Sequence, residues 1–168
     1  MKLIEYNRSS AVNYAKEWAL KRNNKYYDFS NIGGDCTNFA SQCLYAGAPV
    51  MNYTANFGWY YNSVNDRSPA WTGVEFFYNF LINNNVNNEI GNGYGPFAEE
   101  TTLNKTEVGD FIQLGNFNNF FHTAIIVGYQ NNGIPLIASH SRDVYNEPIT
   151  IFNFYIYRCL HILGVKNS

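Results

Sequence analysis

Gly33-Gly34-Asp35-Cys36 sets a cysteine directly behind a glycine turn, the setting of a nucleophile rather than of a packing residue. The run Cys36-Thr37-Asn38-Phe39-Ala40-Ser41-Gln42-Cys43-Leu44 reads as the opening of a helix, so the thiol falls on its first turn. N–H groups there have no partner within the helix and carry partial positive charge, which favours a thiolate. A base must accompany it, and the chain offers three histidines, His122, His140 and His161. His122 opens the apolar run His122-Thr123-Ala124-Ile125-Ile126-Val127, a strand start that places its ring at the rim of a sheet. A cysteine and a histidine so arranged suit attack on an amide carbonyl through a covalent acyl intermediate. The plainer alternative is that Cys36 is simply a small buried residue.

A third group should orient the base. His140, ending the run Leu136-Ile137-Ala138-Ser139-His140, is the first choice, with the carboxylate of Asp143 as its rival. His161 sits among apolar neighbours and reads as structural. Backbone N–H groups beside Cys36 would form part of an oxyanion site, supplemented by a hydroxyl from Tyr26 or Tyr27. Asp35 lies close enough to touch substrate, although capping the helix is the stronger reading for an aspartate there. Zinc held by Cys36, His122 and His140 ranks below catalysis, because no CxxC or HxxxH spacing occurs. No metal and no cofactor is called for.

The composition bounds what else the chain can be. At 168 residues it has the size of one domain, taken as 1–168. A net charge of −2 without Lys/Arg runs argues against nucleic acid as a partner. Three cysteines make an odd set without framework spacing, so a disulfide scaffold is not expected; Cys43, seven residues after Cys36, shares its helix face and should point inward. The opening Met1-Lys2-Leu3-Ile4-Glu5-Tyr6 has no signal-peptide pattern, and no apolar stretch is long enough for membrane insertion. Cytoplasmic location, or origin as a domain of an exported or lytic bacterial protein, both fit. Oligomeric state has no sequence signal here.

The elements that must carry these residues follow from periodicity. Ala11, Tyr14, Ala15, Trp18 and Ala19 predict an amphipathic helix over 9–22, capped by Ser9 or Ser10. A second helix covers 36–46, ended by Gly47 in a left-handed conformation and by Pro49. A third spans 73–82, and the Gly/Asn-rich segment 83–96 reads as a loop. Trp59 and Trp71 belong to an irregular aromatic segment more suited to core than to a groove. Strands are expected at 109–114, 122–129, 134–139 and 149–158, with a short terminal piece at 161–165. Helices first and a strand meander second make an α+β fold with an antiparallel sheet.

Gly-Gly-Asp-Cys-Thr-Asn-Phe-Ala-Ser-Gln-Cys-Leu at 33–44 closely resembles the signature of an amidase-like domain family common in Gram-positive bacteria. Gly109-Asp110-Phe111-Ile112-Gln113, His122 to Val127 and His140-Ser141 look like its downstream blocks, in the right order, and Tyr14-Ala15 and Trp71-Thr72 also fit. That family is similar to the CHAP and NlpC-type cell-wall hydrolases. The resemblance implies a papain-like fold, with N-terminal helices packed on a C-terminal antiparallel sheet. It further implies Cys36 as nucleophile, His122 as base and His140 as third member, acting on peptidoglycan or a peptide-like amide through a thioester. NlpC-type enzymes often carry a second histidine in the third role, whereas CHAP domains tend to use Glu or Asn. Two rivals stand beside this reading: an inactive wall- or protein-binding module of the same fold, and a cytoplasmic hydrolase or acyltransferase of small amides.

Overall fold

Asn7, not a serine, starts the first long helix: its side-chain oxygen accepts the Ser10 N–H at 3.0 Å. The computed structural model describes residues 1–85 and 91–168. A short strand β1 (Lys2–Ile4) leads into α1 (Arg8–Trp18), whose Ala11 and Ala15 are small enough to let α2 (Cys36–Gly47) approach closely. α1 stops four residues short of the expected end, because Arg22 turns away to meet Asp28 and Asp143. Almost every side chain of α2 is buried, Cys43 among them as expected. Gly47 is not left-handed; it is needed because a Cβ there would meet the Asn7 carbonyl oxygen at 2.5 Å and the Tyr6 ring at 2.6 Å.

The aromatic middle contains a small hairpin, β2 (Tyr61–Ser63) with β3 (Asp66–Arg67), then α3 (Pro69–Thr72) and α4 (Val74–Asn83). Trp59 and Trp71 are fully buried, in keeping with a core role. Their indoles find partners in α2: Trp59 donates to Ser41 Oγ at 3.0 Å and Trp71 to Asn38 Oδ1 at 3.0 Å. Part of the expected 83–96 loop, residues 86–90, lies outside the described residues; its far end instead begins a strand, β4 (Gly95–Thr101).

The remaining strands are β5 (Phe111–Gly115), β6 (Phe120–Tyr129), β7 (Pro135–Ser139), β8 (Val144–Pro148) and β9 (Ile156–Asn167). All pair antiparallel in the order β1-β9-β5-β6-β7-β8, with β4 also on β9. The fold is thus α+β with an antiparallel sheet. Residues 149–151, expected to begin a strand, form a single helical turn, and the two expected C-terminal pieces are one continuous strand. One face of the sheet packs Phe111, Ile125 and Leu160 against Phe39, Leu44 and Phe77 of the helices. The other buries Ile112, Leu114, Ala124 and Ile126 under Ile149, Phe152 and Phe154. Among the described residues no helix is long and apolar enough to cross a membrane.

Asp110, in the Gly109-Asp110 pair before β5, ties α1 to this sheet. Its buried carboxylate accepts from Arg8 at 2.8 Å, His161 Nδ1 at 2.8 Å, and the backbone N–H groups of Glu107 and Ile162 at 2.8 and 3.0 Å. Removing the charge leaves a guanidinium facing a neutral amide, and broken buried pairs are costly. Asp110→Asn should therefore lower unfolding stability by about 3 kcal/mol in urea titrations. The exposed neighbour Glu107→Gln should change it by less than about 1 kcal/mol. Equal effects of the two would mean the buried carboxylate is not the anchor.

Candidate active site

Two left-handed glycines, Gly33 (φ 83°) and Gly34 (φ 102°), turn the chain into α2. A second turn meets them there: Ser141, itself left-handed at φ 68°, takes the Asp35 N–H on its Oγ at 2.6 Å. Asp35 occupies the position before the helix, yet its carboxylate makes no capping hydrogen bond to the first turn. It is taken up by other groups instead. Oδ1 accepts from the Phe29 N–H at 2.8 Å and Asn38 Nδ2 at 2.9 Å. Oδ2 lies 2.6 Å from His140 Nδ1 and 3.7 Å from Arg22 Nε. The expectation of a capping Asp35 is corrected accordingly, and with no exposed surface it does not offer itself to substrate.

The Cys36 thiol sits on the first turn of α2, 8% exposed. Around it are the Thr37 hydroxyl at 3.8 Å and the backbone N–H groups of Thr37 and Thr123. The sulfur thereby rests against the peptide that joins His122 to Thr123. Burial pushes the thiol up from its ordinary value, the three donors pull it back in part, and the Asp35 charge adds to the rise. The helix N-terminus does not deliver the low value that its position suggested.

His122 is 6% exposed, and burial alone pushes its imidazole down to about 4. Side chains alternate along β6, so Thr123 and Ile125 face the helices while Ala124 and Ile126 face the other layer. The His122 ring packs on Phe152 of that second layer, with centroids 4.8 Å apart. Its Nε2 is buried with no hydrogen-bond partner among the described residues. No hydrogen bond joins the ring to the sulfur, because the ring lies on the sheet face opposite Thr123.

Neither expected orienting group reaches His122. His140 uses both ring nitrogens elsewhere, Nδ1 on Asp35 and Nε2 2.9 Å from the Trp18 carbonyl oxygen, and its ring stacks on Phe39 at 4.0 Å. It clamps the end of α1, the start of α2 and the end of β7. Asp143 is held by Arg22 through two hydrogen bonds, at 2.8 and 3.1 Å. Tyr26 packs its ring between Tyr61 and Trp71, at 5.1 and 6.0 Å, and Tyr27 gives its backbone N–H to the Tyr61 hydroxyl. Among the described residues no group of three or more His, Cys, Asp and Glu side chains could hold a metal ion. What sequence reading missed is Thr123, whose hydroxyl meets that of Thr37 at 3.0 Å. Its only sequence signal is its place, one residue after His122 on the opposite face.

The family described as "Putative amidase domain" matches residues 5–162, from the approach to α1 through most of β9. The chain belongs to this amidase domain family. A relative in Bacillus subtilis (strain 168), "Uncharacterized protein YhbB", is 32% identical over 142 residues, covering 83% of this chain and 43% of the relative. The chain thus spans less than half of that protein's length. No solved structure matches it. Membership suggests a hydrolase acting on amide bonds.

The depressed His122 has a consequence for stability. Both folded and unfolded chains hold it neutral above its unfolded value near 6.5, whereas between there and about 4 only the unfolded chain gains the proton. Its contribution is therefore complete above about pH 6.5 and is lost as the pH falls through that window, by up to about 3 kcal/mol. Urea titrations from about pH 7 to about pH 4.5 should show this loss reduced by that amount in His122→Gln. Identical slopes for the two proteins would contradict the burial argument.

Proposed function

We propose that this amidase-family protein is a cysteine amidohydrolase of papain-like architecture, with Cys36 as nucleophile and His122 as base. One observation supports the reading: the Cys36 sulfur lies on the first turn of α2 against the His122–Thr123 peptide, and His122 is the histidine with a buried ring nitrogen that has no hydrogen-bond partner among the described residues. Sulfur adds to the amide carbonyl carbon as its proton passes to His122. The protonated imidazole then gives that proton to the departing amine, leaving a thioester on Cys36. Water, deprotonated by the same ring, releases the acid and restores the thiol. First-turn N–H groups of α2, free of a side-chain cap because Asp35 turns away, are suited to the developing oxyanion.

His140 takes part as a positioning residue, acting on Cys36 through Asp35. The substrate we favour is an amide of peptidoglycan, at the muramoyl–alanine link or within the stem peptide. A buried thiol and a ring beneath Phe152 require local opening before such a polymer can reach them, and the His122 ring must turn from Phe152 toward the sulfur before it can take the proton.

Digestion of purified peptidoglycan, followed by mass spectrometry, tests this. Wild type should create new amino and carboxyl ends at one type of bond. Cys36→Ala should lower the rate by about 10³-fold or more, and His122→Ala by a comparable factor. Release of new termini by Cys36→Ala at the wild-type rate would end the proposal. No cleavage by wild type, with small acyl amides turned over, would replace the polymer with the small-molecule substrate. Inertness on both would leave a binding module.

A further inference from the structure

A line of buried polar groups leaves the Cys36 sulfur and crosses the sheet. Thr37 Oγ1 is 3.8 Å from the sulfur and 3.0 Å from Thr123 Oγ1. Thr123 Oγ1 is 3.1 Å from Gln113 Nε2 on β5, and Gln113 Oε1 is 2.8 Å from Arg158 Nε on β9. Thr37, Thr123 and Gln113 have no exposed surface. Arg158 lies between the rings of Tyr78 and Phe120, 3.6 and 3.9 Å from their centroids, and pairs with Glu75 at 3.0 Å.

The far end fixes every direction. A guanidinium can only donate, so the Gln113 atom facing Arg158 is its oxygen. The amide nitrogen confirms the assignment independently, since one of its hydrogens goes to the Val74 carbonyl oxygen at 2.9 Å. Its second hydrogen is then committed to Thr123 Oγ1. Thr123 accepts there, and Thr37 is the acceptor left for its own proton; a buried hydroxyl without an acceptor is costly. Thr37 thus accepts from Thr123, and the sulfur is the acceptor left for its hydrogen.

We infer that Arg158, Gln113, Thr123 and Thr37 form a one-way hydrogen-bond chain that keeps a hydroxyl donor aimed at the Cys36 sulfur, so that Thr37 and Gln113 are positioning residues for the nucleophile. This rests on the reading of Cys36 as nucleophile, but the chain itself can be tested without a substrate. Burial and the neighbouring Asp35 charge both oppose a thiolate here. The chain works against them, beside the backbone donors of Thr37 and Thr123. His122 lies nearby but is neutral above about 4, and Glu75 is taken up by Arg158 at the opposite end.

The experiment follows iodoacetamide labelling of Cys36 from about pH 7 to about pH 10, with each cysteine resolved by peptide mass spectrometry. Thr37→Val keeps the shape and removes the donor; its labelling at about pH 8 should be about tenfold slower, the effect of one hydrogen bond to a charged acceptor. Thr37→Ser should restore the wild-type profile. Gln113→Glu, on β5 and outside α2, can no longer donate to Thr123. It turns the Thr123 proton round, draws the Thr37 hydroxyl off the sulfur, and should slow labelling as Thr37→Val does. A wild-type profile in either Thr37→Val or Gln113→Glu, once folded by circular dichroism, overturns the chain. So does Thr37→Ser behaving like Thr37→Val, which would mean packing alone. Should labelling respond as expected while Cys36→Ala still hydrolyses its substrate, the nucleophile assignment fails and the chain stands.

Discussion

A carboxylate without exposed surface must be met on every side, and Asp35 is met by groups from four separate stretches of chain. Phe29 comes from the preceding loop, Asn38 from α2, Arg22 from beyond α1 and His140 from the end of β7. Taking out any one partner leaves charge stranded in a dry interior, so these stretches hold their places together. The residue so fixed is the immediate neighbour of Cys36. The arrangement also has a local consequence: a carboxylate taken up by these groups cannot cap α2, and the first-turn N–H groups remain directed at the sulfur and the space around it.

Asp110 repeats the device at the other end of the sheet. Each aspartate follows a left-handed glycine, Gly34 and Gly109, each is fully buried, and each holds an arginine and a histidine. His140 and His161, which sequence reading placed in different roles, therefore do the same work. That leaves His122 as the histidine with no acidic partner among the described residues, its Nε2 unspent. Selection among three histidines thus turns on what the other two are already holding, and such occupancy is visible only in three dimensions.

The contrast runs through the fold as well. Strong periodicity was enough for α1, α2, α4 and the central strands β5, β6 and β7, because each buries a regular stripe or a continuous apolar run. β4 and β8 escape that logic. β4 opens with Gly95-Pro96 and carries Glu99 and Glu100, and β8 holds Asn146 and Glu147 at the edge of the sheet, so neighbours rather than composition make them strands. β9 reads as two pieces with a gap at 159–160, which pairing closes: Cys159 and Leu160 lie opposite Ile112 and Phe111 of β5. Within the candidate site, the place of Cys36 at the start of α2 and of His122 near the start of β6 was legible from residue type and setting. The clamp role of His140 was not, since one of its two partners is the Trp18 backbone carbonyl, which carries no sequence signature.

Burial also decides the protonation of the proposed pair, against what a helix N-terminus alone implies. A helix terminus contributes about 0.3–1 kcal/mol to a nearby anion, and rather more when partly buried. Desolvating a thiolate costs more than that, and the direction found for Cys36 is upward even with hydrogen bonds from Thr37 and Thr123. For His122 burial acts without any compensating partner, and the ring stays neutral above about 4. Two groups driven apart in this way rest as thiol and imidazole, not as an ion pair. In the proposed mechanism, proton transfer then accompanies carbonyl attack, when the charge leaving sulfur is taken up by an oxyanion facing the uncapped turn of α2. The closed site suits that sequence: a thiolate exposed to water would be open to oxidation, whereas a neutral, covered thiol becomes reactive only when substrate displaces what covers it.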